Sequence, residues 1–191
     1  ALESGADAVA QGAHKIIGAF TQASYLHLKG SFIDKARTKA IFQYLTTTSP
    51  SYLLMASLDL ARRQMVLNGK ELLEHALDLS AILRESVNEI PGLYAFGEEA
   101  LGKPGADWLD PTKVTITVRE LGITGFQAEM YLRSRFGIQV ELSDLYNVLV
   151  IVSFGNTAED ISKLLDGLRA LTASVAAGEV PRDLLSAQRY I

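Results

Sequence analysis

The sequence predicts an α/β fold, and three observations carry that prediction. Residues 113–119 alternate, with Val114, Ile116 and Val118 on one side and Thr115 and Thr117 on the other, the pattern of a half-buried strand. Residues 147–154 form a continuous apolar run suited to a central strand. Helical stretches with their own start signals separate and follow these strands, at Thr124-Gly125-Phe126-Gln127 and at Thr157. Together they spell a β-α-β-β-α unit, a sheet covered by helices.

The elements follow in order. Residues 6–10 and 22–28 read as short strands, the second closed by Lys29-Gly30. Asp34 to Tyr44 reads as a helix. Ser49-Pro50 is a helix start, serine as N-cap and proline at the first helical position. That helix presents Leu54, Leu58, Ala61 and Met65 on one face, and Asn68-Gly69 is expected to stop it near Leu67. A second long helix is expected from Lys70 to about Glu89, with Leu72, Ala76, Leu79 and Leu83 as its stripe and Pro91-Gly92 as its end. Residues 97–112 are a Gly/Pro-rich loop. After the strand at 113–119, a helix runs to about Phe136, and Ile138, Val140 and Leu142 alternate as a further strand. The last helix carries Ile161, Leu164, Leu165 and Leu168, and the tail with Pro181, Arg182 and Asp183 reads as a linker. The main domain boundary is expected around the long central helix.

Composition narrows the function. With 191 residues, 48% of them hydrophobic, the chain can bury a core. A net charge of −4 gives no basic footprint for nucleic acid or anionic membrane. No apolar run approaches the ~20 residues of a membrane span. There are no cysteines, which excludes disulfides, thiolate metal sites and a cysteine nucleophile and fits a reducing cytoplasm. The N-terminus shows neither the basic region nor the apolar stretch of a signal peptide. It begins without Met inside an element, as part of a longer chain is expected to.

Most chemical constellations fail on inspection. Gly97 to Lys103 imitates a phosphate-binding loop, but Pro104 stands where Ser or Thr is needed. His14, His27 and His75 have no metal-ligand spacing, so no metal site is expected. His75 pairs with Glu71 on a helix surface, and His27 reads as a satisfied, partly buried strand residue. Tyr25, Tyr44 and Tyr52 read as packing residues. Two features survive. Lys15 lies between apolar stretches, and a lysine forced into a dry pocket becomes a nucleophilic amine; an exposed turn is the other reading. Thr46 to Ser49 place four hydroxyl residues ahead of a helix N-terminus, which suits a phosphate, although simple capping explains Ser49 as well. A reactive lysine with a phosphate-ready cluster suggests pyridoxal phosphate.

Gln11-Gly12-Ala13-His14-Lys15, followed by Gly18-Ala19-Phe20-Thr21-Gln22-Ala23-Ser24, resembles the cofactor-lysine segment of the bacterial ornithine/lysine/arginine decarboxylases. Thr47-Thr48-Ser49-Pro50-Ser51-Tyr52, Asp110 to Ile116, Leu121 to Gly125, Gly137 to Glu141 and Val148 to Val152 resemble further segments of that family in the same order. The resemblance implies the aspartate-aminotransferase-like fold (fold type I). Residues 1–68 would then be the C-terminal part of the large cofactor domain, and residues 69–191 the inter-domain long helix, the small α/β domain and a linker. It implies Lys15 as the Schiff-base lysine, His14 and Gly12 beside the cofactor phosphate, and Thr48 and Ser49 approaching the phosphate of a neighbouring subunit in a homodimer.

The implied activity is decarboxylation of arginine, lysine or ornithine to the amine, a cytoplasmic step of polyamine formation, with a lean towards arginine. Two departures accompany it. The family's Ser-Thr before His-Lys is Gly12-Ala13 here, and one lost charge-assisted hydrogen bond costs ~1.5–3 kcal/mol of cofactor binding. The family's phosphate loop, its ring-stacking residue, the aspartate for the pyridine nitrogen and the C-terminal domain are absent, so the free 191-residue polypeptide is expected to be inactive. The alternatives are a weakened relative that keeps the fold and dimer surface, and another fold type I enzyme such as an aminotransferase.

Overall fold

A computed structural model of the chain describes residues 1–180. It is an α/β protein made of two units, one ending at Lys70 and one beginning at Glu71. The expected tail at Pro181, Arg182 and Asp183 lies outside the described residues.

The first unit opens with a hairpin. Strand β1 (Ala8–Gly12) pairs antiparallel with β2 (Ser24–Leu28), in a register that sets Val9 opposite His27 and Gln11 opposite Tyr25. β1 lies two residues later than the expected 6–10. A 3₁₀ turn over Ala13–Lys15 follows it directly. Helix α1 (Lys35–Leu45) is capped by Asp34, whose carboxylate accepts from the Ala36 and Arg37 N–H groups at 2.8 and 3.0 Å.

Helix α2 (Tyr52–Asn88) is one helix of 37 residues, where the sequence predicted two. Its start falls at Ser51 rather than Ser49-Pro50: the Ser51 hydroxyl accepts from the Leu54 N–H at 3.5 Å, and its carbonyl from the Met55 N–H at 3.1 Å. Asn68-Gly69 does not stop it. Glycine ends a helix by turning left-handed, and Gly69 has no positive φ. It is buried four residues after Met65 and three before Leu72, so it continues the inner stripe instead of interrupting it. The helix closes with side-chain pairing. Asn88 accepts from the Ala95 N–H at 2.7 Å and donates to the Ala95 carbonyl at 3.1 Å. The chain reverses between them at Gly92, whose φ of +83° needs glycine.

The second unit holds a four-stranded antiparallel sheet in the order β3-β4-β6-β5. Its strands are β3 (Tyr94–Ala95), β4 (Lys113–Thr117), β5 (Leu142–Ser143) and β6 (Asn147–Ile151). The run at 147–154 supplies an inner strand over its first five residues, Asn147–Ile151, and leaves the sheet after them. The strand expected from Ile138 shrinks to β5: the Ile138 N–H returns to the Leu132 carbonyl at 3.1 Å, while Glu141 reaches the Leu149 carbonyl at 2.9 Å. Helices α3 (Gly125–Phe136) and α4 (Ala158–Ala176) pack on one another, each opened by a capping box. Leu83 and Val87 of α2, Val114, Ile116 and Val148 of the sheet, Leu132 of α3 and Leu168 of α4 are all fully buried in one core.

The caps fix where these helices begin. Thr124 accepts from the Gln127 N–H at 3.1 Å, and the Gln127 side chain accepts from the Thr124 N–H at 2.9 Å. Thr124→Ala is therefore expected to cost about 1 kcal/mol. A lowered urea midpoint with an unchanged denaturant slope checks it.

Candidate functional site

The hairpin of the first unit aims three of the five candidate residues at one place. β1 ends at Gly12, whose φ of −72° any residue can adopt, and the 3₁₀ turn then carries Ala13, His14 and Lys15 in succession. Ala13 turns inward and is fully buried, which leaves its neighbours outward. A Cβ placed on Gly12 lies 3.6 Å from His14 Cε1 and 3.7 Å from Lys15 Cγ and Cδ, so these three residues share one corner. His14 Nδ1 donates to the Ala23 carbonyl at 3.1 Å, the only role open to a ring nitrogen facing a carbonyl oxygen. That bond places a proton on Nδ1 and turns Nε2 away from the Ala23 carbonyl.

Lys15 is exposed. The dry surroundings expected from its apolar neighbours do not form within this chain, because Ile16 and Phe20 are themselves 54% and 59% exposed. Lys15 lines an open cleft of about 640 Å³ together with Val9, Gln11, Gly12, Ile16 and His27. The acid Glu3 also lies on its wall.

Thr48 and Ser49 do not line this cleft. Both are exposed on the loop between α1 and α2, where the Ser49 N–H is held by Thr47 Oγ1 at 3.1 Å. They do not cap α2, since Ser51 does. Tyr44 and Tyr52, expected to pack in the core or at an interface, are exposed in this chain on either side of that loop and so are not core residues. Tyr25 does pack, and its hydroxyl donates to the Leu58 carbonyl of α2.

The sequence missed His27 and Gln11 as members of the site. His27 is half-buried and hydrogen-bonded, as its strand position suggested, but its Nε2 meets Gln11 Oε1 at 2.8 Å on the wall of the Lys15 cleft. The signal was the hairpin register. Residues two apart on a strand share a face, so pairing Val9 with His27 and Gln11 with Tyr25 brings all four to one side.

The remaining candidates behave as structural features. His75 Nε2 engages the Asn156 carbonyl at 3.1 Å instead of a simple pairing with Glu71. Gly97 to Lys103 forms a carboxylate-braced turn, in which Glu99 accepts from the Gly97 N–H and the Tyr94 hydroxyl, both at 2.6 Å. The hydroxyl of Tyr94 is thereby pushed above its ordinary pKa, and the carboxyl of Glu99 below its own. Among the described residues no cluster of His, Cys, Asp or Glu could hold a metal ion, and no helix is long and apolar enough to cross a membrane.

Comparison with known proteins adds the family. The family model described as "Orn/Lys/Arg decarboxylase, major domain" matches residues 3–160. The arginine decarboxylase of Bacillus anthracis is 43% identical over 173 residues, covering 91% of this chain and 35% of that protein. The arginine decarboxylase of Halalkalibacterium halodurans is 45% identical over 171 residues, covering 90% of this chain and 35% of that one. The solved structure of the constitutive lysine decarboxylase of E. coli superposes with a TM-score of 0.76 at 28% identity, covering 94% of this chain and 30% of that one. The chain thus spans about a third of the length of the curated relatives it matches. From the match over residues 3–160 and the shared fold, the chain belongs to the Orn/Lys/Arg decarboxylase family.

Proposed function

We propose that this chain is part of a pyridoxal 5'-phosphate-dependent decarboxylase of a basic amino acid, with arginine as the preferred substrate. The observation that carries the reading is that Gly12 and Lys15 line one accessible cleft with His14 packed beside Gly12, within a chain of this family. The preference for arginine rests on relatives named arginine decarboxylase at 42–45% identity, against 30–32% for those named lysine decarboxylase.

The donor set suits the cofactor. Lys15 offers a primary amine to a carbonyl, and His14 offers a ring nitrogen beside it. When bound, the cofactor supplies a sink for the electron pair left behind by departing CO2. Lys15 Nζ would hold the cofactor in place, and its amine lies in the same cleft where it would carry a proton. His14 is oriented by its bond to Ala23 and so presents one ring face and one nitrogen in a fixed direction. Thr48 and Ser49, outside this cleft, are assigned to the phosphate in the partner subunit of a homodimer. Residues 1–68 and 69–191 are assigned to the large domain and to the long helix with the small domain. A cytoplasmic setting and a place in polyamine formation go with the reading. The free 191-residue polypeptide is proposed to be inactive.

Gly12 tests the weakened-relative alternative. Its φ is ordinary and a Cβ there meets only van der Waals contacts, so Gly12→Ser folds without strain and adds a hydroxyl at the corner shared by His14 and Lys15. In the complete parent chain the variant is expected to bind pyridoxal phosphate about 10-fold more tightly, the worth of one hydrogen bond to a charged group at its low end. Absorbance titration of the cofactor checks this. The reading as a whole is tested by reducing the cofactor-loaded parent chain with borohydride and mapping the adduct. A pyridoxyl group on Lys15, with CO2 release from arginine faster than from lysine or ornithine, is the expected result. An unlabelled Lys15 overturns it.

A further inference from the structure

Four residues of the first unit form a continuous polar and aromatic support behind the Lys15 cleft. The Tyr25 hydroxyl is tied to the Leu58 carbonyl of α2, which fixes the phenol ring. That ring packs on the His27 imidazole, with centroids 5.7 Å apart and planes tilted by 49°. His27 Nε2 then meets Gln11 Oε1 at 2.8 Å across the hairpin. Gln11 and His27 both line the cleft that Lys15 lines.

This arrangement has a directional consequence. A glutamine carboxamide has one acceptor end and one donor end. The His27 N–H occupies the acceptor oxygen, so the NH2 end is left for whatever enters the cleft. Its complement is an oxygen that accepts. The donor is also neutral. Loss of CO2 disperses the charge of a carboxylate, and a strong ionic partner to that carboxylate stabilises the ground state more than the transition state. An amide orients such an oxygen without that penalty.

We propose that Gln11 is a hydrogen-bond donor to an acceptor oxygen of the ligand held at Lys15, and that His27 is the positioning residue that turns the amide donor toward it. The inference rests on the proposed cofactor role of Lys15. Two oxygens share the required chemistry: the α-carboxylate of the amino-acid substrate and an oxygen of the cofactor itself.

The test uses the complete cofactor-loaded parent chain and the variants Gln11→Ala, His27→Leu and His27→Gln. Three readouts are taken: borohydride labelling of Lys15, the dissociation constant of pyridoxal phosphate by absorbance, and spectroscopic titration with arginine and with its decarboxylated amine, which lacks the carboxylate. A thermal melt of each variant beside the parent separates a loss of binding from a loss of fold. Gln11→Ala and His27→Leu are each expected to weaken ligand binding by about 3- to 10-fold, the worth of one hydrogen bond. His27→Gln keeps an N–H donor and is expected to restore most of the loss, which a purely space-filling role for the imidazole does not explain. Weakening confined to arginine, with the amine unaffected, assigns the oxygen to the substrate carboxylate. Weakening of cofactor retention and of both titrants assigns it to the cofactor. Labelled Lys15 with cofactor and ligand affinities within twofold of the parent in Gln11→Ala overturns this inference alone. An unlabelled Lys15 in the parent overturns the cofactor reading and this inference with it.

Discussion

Lys15→Ala in the complete parent chain is expected to lower decarboxylation by on the order of 10³-fold or more, since the proposed function assigns one residue both the covalent tether and a base in the cleft. The size follows from function and not from folding. Lys15 is exposed at the end of a 3₁₀ turn, and the inward-facing residue of that turn is Ala13. The variant should therefore melt with the parent, while its borohydride adduct disappears. Turnover measured under saturating arginine and cofactor, beside a thermal melt, separates the two effects. Activity within tenfold of the parent would sink the assignment of Lys15.

Gly125→Ala is expected to destabilise the second unit by about 3 kcal/mol or more, at the upper end for overpacking. Helix propensity argues the opposite sign, because alanine inside a helix is worth about 1 kcal/mol over glycine. Steric contact decides. A Cβ on Gly125 would lie 2.0 Å from the Asn147 carbonyl oxygen and 2.5 Å from that of Asp144. Both atoms belong to a turn with little freedom to retreat. The Asp144 carboxylate accepts from the Tyr146 and Asn147 N–H groups, each at 2.7 Å, and the Asp144 N–H reaches the Asn147 carbonyl at 3.0 Å. Urea denaturation of parent and variant checks the sign, and a neutral or stabilised variant rejects the argument.

The second unit was the more legible part in sequence, and the reason is physical. Strand alternation at Val114, Ile116 and Val118, and the capping pairs Thr124 with Gln127 and Thr157 with Asp160, are local patterns whose consequences are also local. The misreadings arose where a local rule met a longer-range one. Asn68-Gly69 carries a stop signal, yet the apolar stripe from Leu54 to Leu83 runs through Gly69 without a phase change, and packing along that stripe outweighs the roughly 1 kcal/mol that glycine costs. β3 has only two residues, and its pairing with β4, braced by the side chain of Asn88, creates it, not any alternation of its own. The apolar neighbours of Lys15 in sequence said nothing about which way their side chains face, and of the two readings, dry pocket and exposed turn, this chain forms the exposed turn. His27 joined the site through the hairpin register, a pairing between residues 18 apart that periodicity within either strand does not encode.

Gly12 is conformationally ordinary, with space for a Cβ beside His14 and Lys15. In evolutionary terms this makes position 12 a tuning point uncoupled from the fold. Most changes near a site must be bought with compensating substitutions, because they strain the backbone or crowd the core. A change at 12 meets neither obstacle. On the proposed cofactor role of position 12, exchange of glycine for serine adjusts cofactor affinity without a cost to the fold, since the added Cβ meets only ordinary contacts.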